Sequence, residues 1–388
     1  MDEEIRDESQ DLLLMMKDTE VLRVNFDEGI YEVCNEQLLP YLIKGRLQKI
    51  PEPSAGMTKY EITQMNRAMM ANYNAVIGFL ANRVLPLSRA NAKKIYQLFK
   101  LEQVQSPQEK AKIAILCRAV SLQDNYWLKL GSDKTKWSDV DLRTNSLSEV
   151  VAQIALHGTS LSFEGSFNTP ELTNQGAYAK AWKREEDGVL WLYKRGAKDA
   201  TEARIEVMVS DILDKCNVEH VHYEKRVDSD EYCCACPCIT TEEMSILPGM
   251  DFVSYCNVNG LNPDVEMMRI DADAIYKMWI VDYLISNRDR HGLNWGFYIN
   301  SDTNGILKCH PLFDHNNSFD NDYMQNADAP YQFCGMTIRQ AAQRAVKHVD
   351  FHFTAPITRE DFITDRQYQS FMSRADELGI QTILEQQA

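Results

Sequence analysis

Apolar positions change rhythm several times along the 388-residue chain. An acidic start, MDEEIRDESQ, leads into a short apolar run from Leu12 to Met16. Residues 20–55 read as short strands and turns that end in the Pro-rich PEPSAG. From Lys59 to about Gln105 the period becomes helical, with Met65, Met69, Tyr73, Ile77 and Phe79-Leu80 recurring near helical spacing. This pattern breaks at Pro86 and resumes with Ser88 or Asn91 as N-cap candidates. Residues 111–160 stay mixed, through SLQDNYWLKL and two short helices. No internal repeat is visible, and nothing before about residue 165 carries recognisable chemistry.

Beyond Pro170 the rhythm becomes that of strands. GAYAKAWKREEDGVLWLYKRG reads as a hairpin about Asp187-Gly188, a pair that favours a tight turn. Pairing about that turn sets Ala181 roughly opposite Lys194, and alternation gives Lys194 the same face as Leu190 and Leu192. Two readings of that lysine stand. It is an edge residue snorkelling to solvent, or it is held over the phosphates of a nucleotide. A helix follows, with Asp199 and Glu202 spaced as a capping box and Ile205, Met208, Val209, Ile212 and Leu213 as its buried stripe. Glu202 and Glu206 flank that stripe. Taken alone they are solvated; after an inward lysine, either is a candidate to orient it.

Composition narrows the picture. An apolar content of 44% is that of a folded protein, and the length suits two or three domains or lobes. A formal net charge of −16 argues against general nucleic-acid binding, which needs clustered cations. No apolar run is long enough for a membrane span, and the acidic start is no secretory signal, so a cytoplasmic protein is expected. The ten cysteines then read as thiols. The cluster in EYCCACPCIT is spaced poorly for zinc. Alternation along a strand sends Cys234, Cys236 and Cys238 to one face and Cys233 to the other.

The strongest signal lies between residues 271 and 320. DADAIYKMWIVDYLIS reads as a helix apolar on most sides, and RDRHGLNWGFYINSDTNGILKCHPLFDHNNS follows within a few residues. Asn304-Gly305 marks a second hairpin. Asn294 and Asp314 stand ten residues to either side of Asn304, so antiparallel pairing puts them near direct opposition, about 5 Å apart. Asp289 precedes them on the loop out of the helix. Two carboxylates and an amide gathered this way suit phosphoryl transfer. One carboxylate orients the attacking hydroxyl; the amide oxygen and the other carboxylate hold Mg²⁺.

Asp289-Arg290-His291-Gly292-Leu293-Asn294, followed by Leu312-Phe313-Asp314, resembles the HipA-like serine/threonine kinases and, more distantly, the phosphatidylinositol-kinase-like fold. The resemblance covers about residues 170–320. It implies ATP and Mg²⁺ as cofactors, Asp289 as catalytic base, Asn294 and Asp314 as metal ligands and Lys194 as the ATP-contacting lysine. Glu206, or alternatively Glu202, is then the glutamate of the acidic helix. Thr173-Asn174-Gln175-Gly176 becomes the phosphate loop, with Lys180 just beyond, and His291 a brace for the catalytic loop. Asp314-His315-Asn316 stands where other kinases carry DFG.

The expected fold is α+β and two-lobed, protein-kinase-like. Residues 1–160 form an additional, mostly helical module of unknown role, 161–240 the N-lobe and 241–388 a mostly helical C-lobe. The expected reaction is ATP-dependent phosphorylation of a protein Ser or Thr. Autophosphorylation near the phosphate loop is included, where Ser160, Ser162, Ser166, Thr169 and Thr173 crowd together. A lipid or small-molecule kinase and a catalytically weak nucleotide-binding module are the alternatives.

Overall fold

The computed structural model describes residues 10–51, 54, 56–159, 161, 165–196, 199–331 and 335–381. Among these the first 160 residues combine helices with a four-stranded antiparallel sheet, ordered β3-β2-β1-β4. Its strands are β1 (Leu12–Met16), β2 (Thr19–Asn25), β3 (Ile30–Val33) and β4 (Tyr126–Leu130). Between β3 and β4 lie α1 (Lys59–Ala81), α2 (Ala92–Leu98) and α3 (Pro107–Leu116). Helix α1 starts on a capping box in which the Thr58 hydroxyl accepts from the Glu61 amide and Glu61 reaches back to the Thr58 amide. The short α4 (Trp137–Val140) and α5 (Glu149–His157) complete this part.

The second sheet is built from β5 (Ala179–Arg184) and β6 (Leu190–Arg195), then α6 (Thr201–Leu213), β7 (Glu224–Asp228) and β8 (Glu231–Pro237), in strand order β5-β6-β8-β7. The hairpin turns at Gly188, whose φ of +83° needs a residue without Cβ. Its register is one residue tighter than the sequence suggests: Ala181 pairs with Tyr193, and Lys180 pairs with Lys194. The reason is the turn, in which Arg184 still pairs with Leu190 and the loop closes between Glu185 and Val189. Two lysines therefore share one face. Helix α6 lacks the expected Asp199–Glu202 capping box. Ala200 occupies the N-cap in a left-handed conformation, and the Asp199 carboxylate accepts from the amide and hydroxyl of Thr201 instead.

The cysteine-rich strand separates its thiols. Cys233 faces the core shared with the first 160 residues, whereas Cys234 and Cys236 face α6. Cys238 lies past the strand end and packs beside Leu190 and Trp127 in a third cluster, not with Cys234 and Cys236.

The third sheet has the order β11-β10-β9, from β9 (Met244–Pro248), β10 (Gly296–Asn300) and β11 (Ile306–Cys309). Around it pack α7 (Gly249–Val258), α8 (Pro263–Leu284), α9 (Asn321–Gln325), α10 (Ile338–Ala345) and α11 (Asp365–Glu377). Helix α8 begins earlier than its apolar text implies and is broken at Asp271, which has φ −157° and ψ 73°. The Asp271 carboxylate accounts for the break. It accepts from the Ala274 amide on one side and from Cys309 at the end of β11 on the other. None of the described helices is long and apolar enough to cross a membrane.

The first 160 residues are not a detached appendage. One apolar cluster joins Leu22, Phe79, Tyr96 and Val151 to Leu172, Ala181, Tyr193 and Cys233 of the second sheet. Polar ties run to the third sheet as well: Asn304 donates to the Leu39 carbonyl at 2.7 Å, and Asn125 donates to Ser301 at 2.9 Å. Leu172 is fully buried at this seam. We expect Leu172→Ala to cost about 2–5 kcal/mol. In urea unfolding it should shift the midpoint of residues on both sides of the seam together. A transition confined to the second sheet would contradict the shared core.

Candidate active site

Four segments converge on a cavity of about 490 Å³. Its lining combines the apolar side chains of Leu192, Val221, Ile239, Ile246 and Phe313 with the polar ones of Lys180, Lys194, Asp289, Asn294 and Asp314. The 173–176 loop closes one side. Ser121, Leu122 and Gln123 contribute from the first 160 residues.

Lys194 is inward, not an edge residue. Its ammonium donates to Asp314 at 2.8 Å, to the Tyr223 hydroxyl at 2.9 Å and to Glu206 at 3.4 Å. Burial works against its charge, but Asp314 and Glu206 outweigh that and hold its pKa well above the ordinary lysine value. Burial likewise disfavours the Asp314 carboxylate, yet Lys194 and Lys180 keep it below the usual carboxylate range. Of the two helix glutamates, Glu206 is the one that pairs. It is fully buried, and its other oxygen accepts from the His315 amide at 2.8 Å. Burial raises its pKa and Lys194 opposes the rise. Glu202 is half-buried and lies against Gly196 instead.

Lys180 sits beside Lys194 on the same sheet face. Its ammonium lies where a Cβ on Gly176 would fall, 2.3 Å away, and Gly176 has φ +99°. Any side chain at 176 would displace that ammonium. Burial, with help from the neighbouring Lys194 and Arg89 charges, pushes the Lys180 pKa down to about 8. Of the other loop residues, Thr173 is buried and donates to the Pro170 carbonyl at 3.2 Å, while Gln175 donates to the Val84 carbonyl at 3.0 Å. Asn174 lines the cavity with a buried amide nitrogen that has no protein partner.

On the opposite wall, Asp289 accepts from the Asn317 amide at 2.8 Å, and Asn317 in turn accepts from the Tyr178 hydroxyl at 3.1 Å. His291 Nδ1 accepts from the Leu293 amide at 3.2 Å, so a neutral ring carries its proton on Nε2, which is 3.8 Å from Asp289. Gly292 allows this loop to press on α7: its carbonyl accepts from the Met250 amide, and a Cβ would meet that same nitrogen at 2.9 Å. Asn294 donates to the Asp289 carbonyl at 2.8 Å, which leaves its Oδ1 as the atom for a cation.

Asn294 and Asp314 do not form the cross-strand pair that the hairpin suggested. The β10–β11 ladder shifts register and ends at Phe297↔Cys309, and Leu312 bridges to His220 instead. A buried arginine does the joining. Arg290 donates to the Asn294 carbonyl at 2.6 Å and to the Phe313 carbonyl at 3.0 Å, while its remaining nitrogens bind Asp282 at 2.9 to 3.2 Å. Asp282 also accepts from Asn287 at 2.9 Å and from Tyr331 at 2.5 Å. Asp314 itself takes φ +61°, an uncommon conformation for a residue with a Cβ.

Tyr223, Arg290, Asp282 and Asn317 were not singled out from the sequence. Asp282 did leave a signal: a lone carboxylate inside the apolar run WIVDYLI has to meet a buried donor.

No family model matches the chain, and no curated protein matches it. Among solved structures it is similar to a Shewanella oneidensis MR-1 HipA, solved with HipB and its operator DNA. The two are 11% identical at a TM-score of 0.50, over 95% of this chain and 98% of the other. It is also similar to the Helicobacter pylori proinflammatory kinase CtkA, at 12% identity and a TM-score of 0.33, over 51% of this chain and 89% of that one. The likeness to HipA shows the fold: this chain has the α+β architecture of the HipA-like kinases.

The Asp282–Arg290 pair has no solvent exposure on either side chain. Asp282→Asn leaves the guanidinium without its counter-charge, and we expect a loss of about 3–5 kcal/mol in chemical denaturation. A loss under about 1 kcal/mol would mean that the 289–294 loop is held by other contacts.

Proposed function

We propose that this protein is an ATP- and Mg²⁺-dependent phosphotransferase that acts on Ser or Thr hydroxyls of proteins. The observation that carries the proposal is the convergence of Lys194, Asp289, Asn294 and Asp314 on one cavity that also has an apolar lining. A nucleotide has the matching polarity, with a flat apolar base at one end and anionic phosphates at the other.

The residues fit both groups. For phosphates there are two buried ammoniums and the unpartnered Asn174 amide at the glycine loop. For a hard cation there are the oxygens of Asn294 and Asp314, the donor type that magnesium prefers. The cation supplies charge neutralisation at the phosphates. Lys194, oriented by Glu206 and Tyr223, binds phosphate oxygens, and Lys180 adds a second positive contact. Asp289, fixed by Asn317 and by the loop hydrogen bonds, orients the acceptor hydroxyl and receives its proton as the new O–P bond forms and the bond to ADP breaks.

Among the hydroxyls near the phosphate loop, Ser166 is exposed, whereas Thr169 and Thr173 are buried and bonded within their own turn. Ser160 and Ser162 lie outside the described residues.

Purified protein incubated with labelled ATP and Mg²⁺ should transfer label to protein Ser or Thr, itself included. Asp289→Asn should lower turnover by at least about a thousandfold while leaving nucleotide affinity within about threefold, because its part is played at the hydroxyl. Retention of most turnover would remove Asp289 from the base role. Label passing only to an added lipid or metabolite would replace the protein substrate.

Lys180 adds a pH signature. Its pKa is depressed to about 8, so the ammonium is present below that pH and is lost as pH rises through it. Nucleotide affinity should therefore fall between pH 7 and pH 9, with proton uptake on binding at the alkaline end. Lys180→Arg, charged throughout, should flatten the dependence. Equal wild-type dissociation constants at both pH values would take Lys180 away from the phosphates.

A further inference from the structure

Outside the cavity, one group of side chains has no part in the chemistry above. Asp214 is the C-cap of α6, and His220 and His222 lie just beyond, in the segment that leads to β7. Val221 and Tyr223 turn into the core. His220 and His222, two residues apart, turn the other way and meet Asp214. His220 Nε2 is 3.2 Å from one Asp214 oxygen and His222 Nδ1 is 3.0 Å from the other. One ligand atom from each of the three residues lies within 4.8 Å of the other two.

The contact at His220 is chemically incomplete. Its Nδ1 faces the Val218 carbonyl at 3.4 Å, and a carbonyl only accepts, so Nδ1 carries the proton. In a neutral ring Nε2 then carries a lone pair 3.2 Å from a carboxylate oxygen, off the line of a hydrogen bond. The side chain is only 7% exposed, and Nε2 has no hydrogen-bond partner. A buried acceptor this close to a carboxylate gains nothing from it unless a cation lies between them. A proton or a metal ion would serve. The second ring on the same carboxylate favours the metal, since two imidazoles and a carboxylate are a common three-ligand set for zinc. An imidazole that donates its other N–H to a backbone carbonyl is the usual support of such a ligand. Ligand atoms around a tetrahedral zinc lie about 3.3 Å apart, and each imidazole stands near that distance from one of the two Asp214 oxygens, so a small turn of the carboxylate brings one oxygen to both.

We propose that Asp214, His220 and His222 bind one zinc-class divalent cation, with a coordination position left open to solvent. Asp214 and His222 are 46% and 49% exposed, so an ion can enter and the His222 ring can turn to close the third edge. The site has a direct mechanical link to the cavity. His220 bridges to Leu312, two residues before Asp314, and Tyr223, one residue past His222, receives a bond from Lys194. An ion here ties the end of the helix that carries Glu206 to the segment that carries Tyr223.

The test uses the full chain, stripped of metal by chelator and dialysis, and titrated with Zn²⁺ by calorimetry under excess Mg²⁺ to fill oxygen-only sites. One saturable site is expected, and His222→Ala should weaken it at least about tenfold without changing the circular-dichroism spectrum. With Co²⁺ in place of Zn²⁺, the bound ion should show visible bands without thiolate charge transfer, which separates this site from the free cysteines. Three results would overturn the proposal: no saturable binding in the wild type, leaving a protonated His220–Asp214 ion pair only; equal isotherms for wild type and His222→Ala; or a thiolate band.

Discussion

The Arg290 guanidinium is the contact on which the cavity's floor depends. It is fully buried, and Asp282 supplies the opposite charge from inside the central helix. A guanidinium can bind a carboxylate on one edge and still present further N–H groups elsewhere, which an ammonium at the same place does not do with fixed geometry. Here the second edge reaches the carbonyls of Asn294 and Phe313. Those carbonyls belong to two segments whose strands have already stopped pairing. The arginine thus replaces a ladder that sheet geometry does not provide, and Asp289, Asn294 and Asp314 follow from it. Burying such a pair carries a desolvation cost that its attraction only offsets, so its value lies in fixing one arrangement of the loop.

The roof of the cavity depends on a second buried pair. Arg89, from the turn before α2, binds Glu171 at 3.0 Å and also donates to the carbonyls of Lys180 and Asn174. The other Glu171 oxygen accepts from the Trp182 amide at 2.8 Å. A residue of the first 160 therefore holds the 173–176 loop and the start of β5 together, with help from the Ala90 amide on the Ala177 carbonyl. The early part of the chain thus buttresses the glycine loop and lines the cavity through residues 121–123. The shared apolar cluster and the two carbonyl contacts make that support rigid.

Much of this was legible from pattern. Turn chemistry located both hairpins, strand alternation put Lys194 on a buried face, and four of the five residues read as the buried stripe of α6, Met208, Val209, Ile212 and Leu213, are buried, with Ile205 half-buried. What stayed hidden has three physical sources. Register is set by the closing geometry of a turn, so a one-residue error moved the partner of Lys194 from Ala181 to Lys180. Ladder length is decided by what else competes for the strand: His220 takes Leu312 and ends the pairing that would have set Asn294 opposite Asp314. The choice between Glu202 and Glu206 depends on which one reaches the His315 amide, a contact 109 residues away that no local period encodes.

The electrostatics of the free cavity follow from these constraints. The chain as a whole is strongly acidic, with a formal charge of −16, yet two ammoniums and a guanidinium are buried behind the glycine loop. Such a concentration is tolerable only because the carboxylates of Glu171, Glu206 and Asp314, from three segments, face it. Asp314 and Glu206 hold Lys194 charged, whereas Lys180, with less compensation, gives up part of its hold on its proton. The Asp314 carboxylate is thereby committed to Lys194 at 2.8 Å in the arrangement described here. Its φ of +61° and the His315–Glu206 bond set where that carboxylate can go next. On the proposed function, polyanion and cation arriving together would exchange like for like, phosphate taking over the lysine and the cation taking over the aspartate. On the proposed function either one alone would break the Lys194–Asp314 pair and replace only one side of it, leaving Glu206 to hold Lys194 or Lys180 to hold Asp314, so each guest would favour the other.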